Sequence, residues 1–583
     1  MSRSLSPAPE PQPAPARGRP VRRWPRRLGR ALALVVATLL VVAAVGRGVI
    51  ERLCRIDPPA VPAATRAAAL RLPFDARAGG RTLVGDNWMA RRRGIWELHL
   101  DGDPFTIGYS HGRLASRLLV EQEDFMFGEL NHYVPSRVAR SLIRLGVMLR
   151  YRGLGALLPP ERQQEIAGLA SGAIDLHGDF LPPFHRMIFY HALHDITQTL
   201  EHSPLLGCSA FAASGRGTRD GHLLIGRNFD FEGPEIFDRE KVVLFFRPTG
   251  KIPFASVAWS GMTGAVTGVN AEKIYVSINA ARTDDPGQVG VPVEVLLRQI
   301  LENARSIDEV VARVRAPVLV PDLYLVGDGK TGEAVVIERS PTRLEVRRLD
   351  PAQGWLALTN HARSPAFAGD ARNDHLERYL TSGARLARLE ELLAARAGTL
   401  DPAGALALLR DKRGPGDQPL GLGNRNALDA IIATHSVVLD ATNLVLWVGV
   451  GPHLLGKFVA FDLQRELLGA AAAGGRPAPA DLPADPIVDS AEFAGYRQAQ
   501  AALRVADELR GRGLYDGAID QARIAIAAED ASPEAHKLLG DLLWRRGDRD
   551  QARSEYRRFL ALHPPYLADV EAARARLSGA SAQ

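Results

Sequence analysis

Apolar and polar positions change their rhythm several times along the chain, and each change marks a predicted segment. Residues 31–46 (ALALVVATLLVVAAVG) are uncharged throughout. From 91 to 207 a short β-like stretch (IWELHLDGDPF) precedes apolar residues at three- and four-residue spacing, as in Ile143, Leu145, Val147 and Met148. That spacing predicts helices near 107–132, 134–150, 160–178 and 183–200. After Pro204 the pattern becomes alternation broken by glycine turns. CSAFAAS, HLLIGRNFDF, KVVLFFRP, ASVAWSG, AVTGVN and KIYVSINA read as strands. Helices are predicted near 292–303, 306–314, 376–396 and 402–410. Strands are predicted at LYLVGD, EAVVIERS, RLEVRRLD and GWLALTN, with a last hairpin in SVVLDATNLVLWVGVG. Many strands with a few long helices imply an α+β layered domain.

The flanks differ from this body. Residues 55–90 are rich in Pro, Ala and Arg and read as a linker, as does the low-complexity stretch GAAAAGGRPAPADLPADP. Beyond it the chain is helical and repeats itself. Gly540, Ala552, Tyr556 and Pro564 fall at the spacing of a 34-residue unit, and small residues recur 34 positions earlier at Ala518 and Ala506. This region resembles two tetratricopeptide repeats, which implies a module that binds a protein partner and carries no chemistry. The expected division is a basic tail (1–30), an anchor (31–50), a linker (51–90), a region before the nucleophile (91–207), a catalytic region (208–465), a second linker (466–490) and the repeats (491–578).

Charge and composition sharpen the N-terminus. The 583 residues are 46% hydrophobic and 24% charged, which excludes a disordered or collagen-like chain. The net charge of +6 is concentrated at one end: residues 1–30 hold eight arginines and one glutamate, leaving −1 for the rest. A basic tail on a near-neutral body does not fit a nucleic-acid binder. Sixteen uncharged residues make a helix of about 24 Å, short of a ~30 Å hydrocarbon core, but Arg30 and Arg47 can snorkel. The arginine excess predicts a cytoplasmic tail and an inner-membrane, single-pass topology with the body in the periplasm. A cleaved signal peptide ending at Ala44-Val45-Gly46 is the alternative, and it exports the body too.

Candidate chemistry is confined to a short stretch. Two cysteines, Cys54 and Cys208, cannot build a disulfide framework or a cysteine-rich zinc site. His191, His194 and Asp195 have ligand-like spacing on a helix but no clear third ligand, so no metal and no cofactor are expected. In SPLLGCSAFAASGRGTRDGHLLIGRNFDFE, two strands joined by a glycine turn place Cys208 opposite Asn228 if the hairpin folds about residue 218. Arg227 and Asp230 then lie within about two residues of the pairing position, or roughly 7 Å. Bringing both inward needs a twist or bulge. A thiol beside a guanidinium has a lowered pKa. The bland reading of the same residues is a small buried cysteine and a salt bridge.

Gly207-Cys208, the Asp220-Gly221 turn and Gly226-Arg227-Asn228-Phe229-Asp230 resemble the nucleophile region of N-terminal nucleophile hydrolases. The resemblance is strongest to the autoproteolytic acyltransferases and hydrolases related to acyl-CoA:6-aminopenicillanic acid acyltransferase. GAVTGVNAEKIYVSINAAR, ALTNHARSP and THSVVLDATNLVLWVGVGP extend it over roughly residues 95–465. It implies a four-layer αββα sandwich, cleavage between Gly207 and Cys208, and a small-molecule acyl-amide substrate. It also implies roles for Cys208 as nucleophile, Asp230 holding the new amino group, Arg227 facing the thiolate, and Asn279 with Asn360 as oxyanion donors. Arg425 matches a late family arginine loosely, and the family's glycine near Lys273 is missing. Two other readings remain open: a catalytically inactive scaffold that presents the repeats, and a cysteine hydrolase that uses His361 or His435 as base without self-cleavage.

Overall fold

The computed structural model describes residues 26–76, 80–198, 206–231, 235–288 and 290–579. Most of the basic tail therefore lies outside the described residues. Two compact units are present: Met1–Arg55 with Val138–Arg152, and Ile56–Arg137 with Gly153–Gln583. In the first, the apolar run belongs to a longer helix than expected, Arg26–Leu53. Its stretch Leu32–Leu53 is long and apolar enough to cross a membrane. Arg144, from the helix Arg137–Arg150, forms an ion pair with Glu51. Val138 and Leu142 of the same helix are exposed.

The second unit is built on two sheets. Among the described residues the larger has eleven strands and the smaller six. The larger runs in chain order from Phe74–Asp75 through Ile95–Gly102, Val242–Pro248, Thr267–Asn270 and Ile274–Ala280 to Leu344–Arg348. Ile95–Gly102 and Val242–Pro248 pair in parallel, and the helical region and the Cys208 hairpin are inserted between them. The smaller sheet is ordered Trp355–Leu358, Leu206–Gly215, Gly221–Phe231, Ala433–Asp440, Val445–Gly449 and Phe458–Asp462.

Strand alternation sorts the side chains into layers. Ala210, Ala212 and Ile225 of the smaller sheet meet Val243, Phe245 and Tyr275 of the larger. Their neighbours Phe211, Ala213 and Leu224 turn the other way, onto Leu386, Leu389, Leu406 and Leu409 of two helices. The far face of the larger sheet is covered by Ile107, Leu297 and Ile300, also from helices. The layer order is thus helix, sheet, sheet, helix. Both faces of the central strands are buried, so the sequence reads there as nearly continuous apolar runs.

Several expectations are corrected. The linker 51–90 contains the helix Ala63–Leu70 and the strands Thr82–Val84 and Asn87–Arg92, which extend the larger sheet. These strands lie near the end of the sheet, with only Phe74–Asp75 beyond them, and Arg91 is exposed there. The helix predicted over 107–132 is two, Pro104–Leu114 and Ser116–Tyr133, broken at Ala115. Gly108 and Gly112 of the first lie against the backbone of Glu165 and Leu169 in the helix Pro160–Gly172, whose Gly168 and Gly172 meet the backbone of Phe105 and Tyr109 in return. A Cβ on Gly168 would fall 2.2 Å from the Phe105 carbonyl oxygen. The second linker is fastened down, since Leu482 and Phe458 exchange backbone hydrogen bonds of 2.9 Å. After it, among the described residues, come five helices, Ala491–Gly511, Tyr515–Ala528, Pro533–Arg546, Arg549–Ala561 and Leu567–Ser578.

Candidate active site

The hairpin Leu206–Gly215 and Gly221–Phe231 sets the geometry. Gly215 pairs with Gly221 at the turn, but an irregularity between Ala213 and Gly215 shifts the register by one residue. Cys208 therefore faces Phe229 rather than the expected Asn228, and Gly207 faces Asp230. No twist gathers Arg227 and Asp230 onto one face; ordinary pleating separates them. Arg227 and Phe229 point between the sheets, whereas Asn228 points outward and donates to the Leu409 and Leu428 carbonyls. Both expected residues still reach Cys208, one through its side chain and one through its backbone.

On the inter-sheet face, Arg227 Nη2 lies 4.0 Å from Cys208 Sγ. The guanidinium is fully buried and donates to Thr267 Oγ1 and the Ile278 carbonyl, with its carbon 4.8 Å from the Phe229 ring centre. Burial pushes the Cys208 thiol up, against the pull of Arg227 and Arg385, so the lowered pKa expected from sequence is not what this chain holds. Asn279 is buried and donates one amide proton to the Thr359 carbonyl, at 2.7 Å. An amide NH2 has two protons, which leaves one for another acceptor.

The other face holds the Gly207–Cys208 peptide. Cys208 N donates to Asn360 Oδ1 at 3.0 Å, and Asn360 Nδ2 donates to the Ala280 carbonyl at 2.9 Å. Asn360 thus faces the Cys208 nitrogen as an acceptor, not as the oxyanion donor expected. Arg385 Nη2 donates to the same Asn360 oxygen at 2.7 Å, and its Nη1 to the Cys208 carbonyl at 2.5 Å. A Cβ built on Gly207 would lie 3.6 Å from Asp230 Cβ. Burial raises the Asp230 carboxyl to about 7, opposed by Arg385 and Arg425 and reinforced by Asp429. Arg425 is half-buried and lines a cavity of about 70 Å³ with Gly207, Asp230, Asn360, Arg385 and Tyr566.

Arg385 was not singled out from the sequence. It sits on the helix Ser382–Arg396, on the buried stripe with Ser382, Leu386, Leu389 and Leu393. A cation on an apolar stripe is the signal that could have found it. The candidate bases turn elsewhere. His435 Nε2 lies 2.9 Å from Thr267 Oγ1, and burial with Arg227 beside it drives its pKa well below the ordinary range. His361 Nδ1 lies 2.8 Å from Ser382 Oγ, and burial lowers its pKa to about 4. The helix pair His191 and His194 also disperses. His191 Nε2 accepts from Thr263 N at 2.8 Å, and His194 faces Asp322 at 3.1 Å. Asp195 accepts from Val293 N.

Residues 217–420 match the family described as acyl-coenzyme A:6-aminopenicillanic acid acyl-transferase. Arg227, Asp230, Asn279, Asn360 and Arg385 fall inside that segment; Cys208 and Arg425 fall outside. Bovine (Bos taurus) acid ceramidase is 29% identical over 184 residues, 26% of this chain and 47% of that protein. The N-acylethanolamine-hydrolyzing acid amidase of Caenorhabditis elegans is 25% identical over 239 residues, 39% of this chain and 64% of its own. The chain thus spans about half to two thirds of the length of these relatives. Among solved structures, penicillin V acylase from Agrobacterium tumefaciens aligns at TM-score 0.33 and 12% identity, over 44% of this chain and 87% of its own.

Proposed function

We propose that this protein is a self-cleaving cysteine hydrolase or acyltransferase acting on linear amides, cut between Gly207 and Cys208. The observation that carries the reading is the bracketing of that one peptide bond. Its thiol faces Arg227, its nitrogen is held by Asn360, the next carbonyl is held by Arg385, and Asp230 lies beside Gly207. The match of residues 217–420 to the acyltransferase family model, and relatives named as an acid ceramidase and an acid amidase, support amide chemistry.

In this reading Cys208 Sγ attacks the Gly207 carbonyl carbon, and the acyl group moves from nitrogen to sulfur. Water then opens the thioester, leaving a carboxylate on Gly207 and a free α-amino group on Cys208. That amine has a pKa of about 7.7–8.0 in model peptides, suited to take the thiol proton near neutral pH. One residue then supplies both nucleophile and base, so no histidine is required. Asn360 Oδ1 and Asp230 orient the amine, while Arg227 faces the thiolate. The remaining amide proton of Asn279 is offered to the oxyanion, a contact typically worth about 100- to 1,000-fold in rate. The acyl-enzyme passes to water or to an amine. The apolar stretch Leu32–Leu53 and the arginines before it support a membrane tether with the tail in the cytoplasm and the body across the membrane.

Intact mass and N-terminal sequencing of the wild type beside Cys208→Ala test this. The expected result is two chains, the second starting at Cys208, and an uncut variant. A wild type that stays whole overturns the reading, because the α-amino base then never forms.

A further inference from the structure

The five C-terminal helices are docked on the hydrolase body beside the candidate site. Phe493 shares a core with Leu422, Ile431 and Leu455 of the body. Gly423 has φ +76°, and a Cβ there would fall 2.7 Å from the Tyr496 ring, so the two regions approach closer than a side chain permits. Asn424 Nδ2 donates to the His563 carbonyl at 3.2 Å, and Leu567 N to the Tyr379 carbonyl at 3.3 Å. Between helices and body runs a groove of about 1140 Å³. It shares Arg425, Ala430, Ile432 and Tyr566 with the small cavity at Gly207 and Asp230. Tyr566 therefore stands where the groove meets the site, although it belongs to the C-terminal region.

The groove has a sign. Arginine and lysine outnumber aspartate and glutamate two to one along its lining. Arg497 and Arg504 are seven residues apart on the helix Ala491–Gly511, two turns along one face. Both line the groove, both are exposed, and among the described residues neither pairs with a carboxylate. Of the acidic residues lining the groove, Asp238 is taken by Lys241 at 2.6 Å.

We propose that the C-terminal helices form the outer wall of the substrate passage, and that Arg497 and Arg504 select linear amides whose far end is a carboxylate, such as N-acylated amino acids. Tyr566 borders the acyl-amide at the junction. This rests on the Cys208 reading and names its substrate class. It also gives the C-terminal region a part in substrate choice that partner binding alone does not provide. A groove of this size accommodates a ligand larger than the small cavity can hold.

The test uses the full chain in nonionic detergent as the uncut Cys208→Ala form, which binds without turnover. N-hexanoylglycine and N-hexanoylethanolamine, identical but for the charged end, are titrated calorimetrically. The glycine conjugate is expected to bind more tightly, and R497S/R504S to weaken it about 5- to 20-fold, as expected for two exposed charge contacts, with the ethanolamine conjugate unchanged. Raising salt mimics the double variant. Tyr566→Ala weakens both ligands. Equal binding of the two ligands, or a preference that survives R497S/R504S, overturns the proposal. Self-cleavage is followed separately in otherwise wild-type R497S/R504S and stays complete. If wild-type protein itself is never cut, the Cys208 reading fails, and the titrations still decide the groove.

Discussion

Asp230 offers the sharpest conflict between stability and function in this chain. Its carboxyl is fully buried beside Gly207 and raised from 3.8 to about 7. A folded-state pKa above the unfolded value means the native state binds the proton more tightly, so ionisation works against folding. Below about pH 4 the carboxyl is protonated in both states and the penalty is absent. It grows as pH rises through the interval and levels off above about pH 7. The gap, at about 1.4 kcal/mol per tenfold, amounts to about 4 kcal/mol. Asp230→Asn in the uncut Cys208→Ala background keeps the shape and removes the charge. The double variant should gain on its parent by about 4 kcal/mol between pH 4 and pH 8, with about half of that by pH 5.5. Urea unfolding of the full chain in detergent, followed by tryptophan fluorescence across pH, measures the difference. The same substitution placed in otherwise wild-type protein is expected to abolish cleavage, because the nascent amine loses its anionic partner. A stability difference that does not vary with pH would refute the reasoning, since the charge would then not be held in a desolvated site.

Other expectations follow from particular contacts. Gly168→Ala forces a methyl group into the Phe105 carbonyl and should lose at least about 3 kcal/mol, whereas Gly128→Ala, exposed with nothing within 4 Å, should gain about 0.5–1 kcal/mol. Thermal melts compare the two, and a neutral Gly168→Ala would contradict the close helix packing. Arg227→Lys keeps a charge but cannot reach Thr267, the Ile278 carbonyl and Cys208 together, so self-cleavage should slow by about 100-fold on a gel time course. Unchanged cleavage would mean charge alone suffices. Arg385 is the chief charge holding the Asp230 carboxyl down, so Arg385→Met should move the acid limb of the cleavage–pH profile to higher pH. A profile that moves to lower pH, or stays put, removes Arg385 from the site.

The local order of the chain is largely written in its sequence. Alternation and glycine turns announce the Cys208 hairpin, and Cys208, Arg227 and Asp230 lie within 23 consecutive residues of one another. A hairpin needs only neighbouring residues, and a period of two is visible wherever it occurs. Its register was harder to read, because one irregular residue at Ala213–Gly215 shifts every pairing by one. The short strands in 82–92 look like linker in the sequence because they are only three and six residues long and arginine and glycine interrupt their alternation. Residues brought in from far along the chain left only faint marks. Arg385 is 177 residues from the carbonyl it holds, and Tyr566 comes from helices that resemble a separate repeat module. Sequence alone was enough for most strands and helices of the body and for Cys208 with its nearest cation, Arg227. Tertiary structure alone decided that Asn360 holds the Cys208 nitrogen while Arg385 holds the Cys208 carbonyl, and that the last helices line the groove. Periodicity reports which face of an element is buried, but the identity of what lies against that face is set by packing between segments hundreds of residues apart.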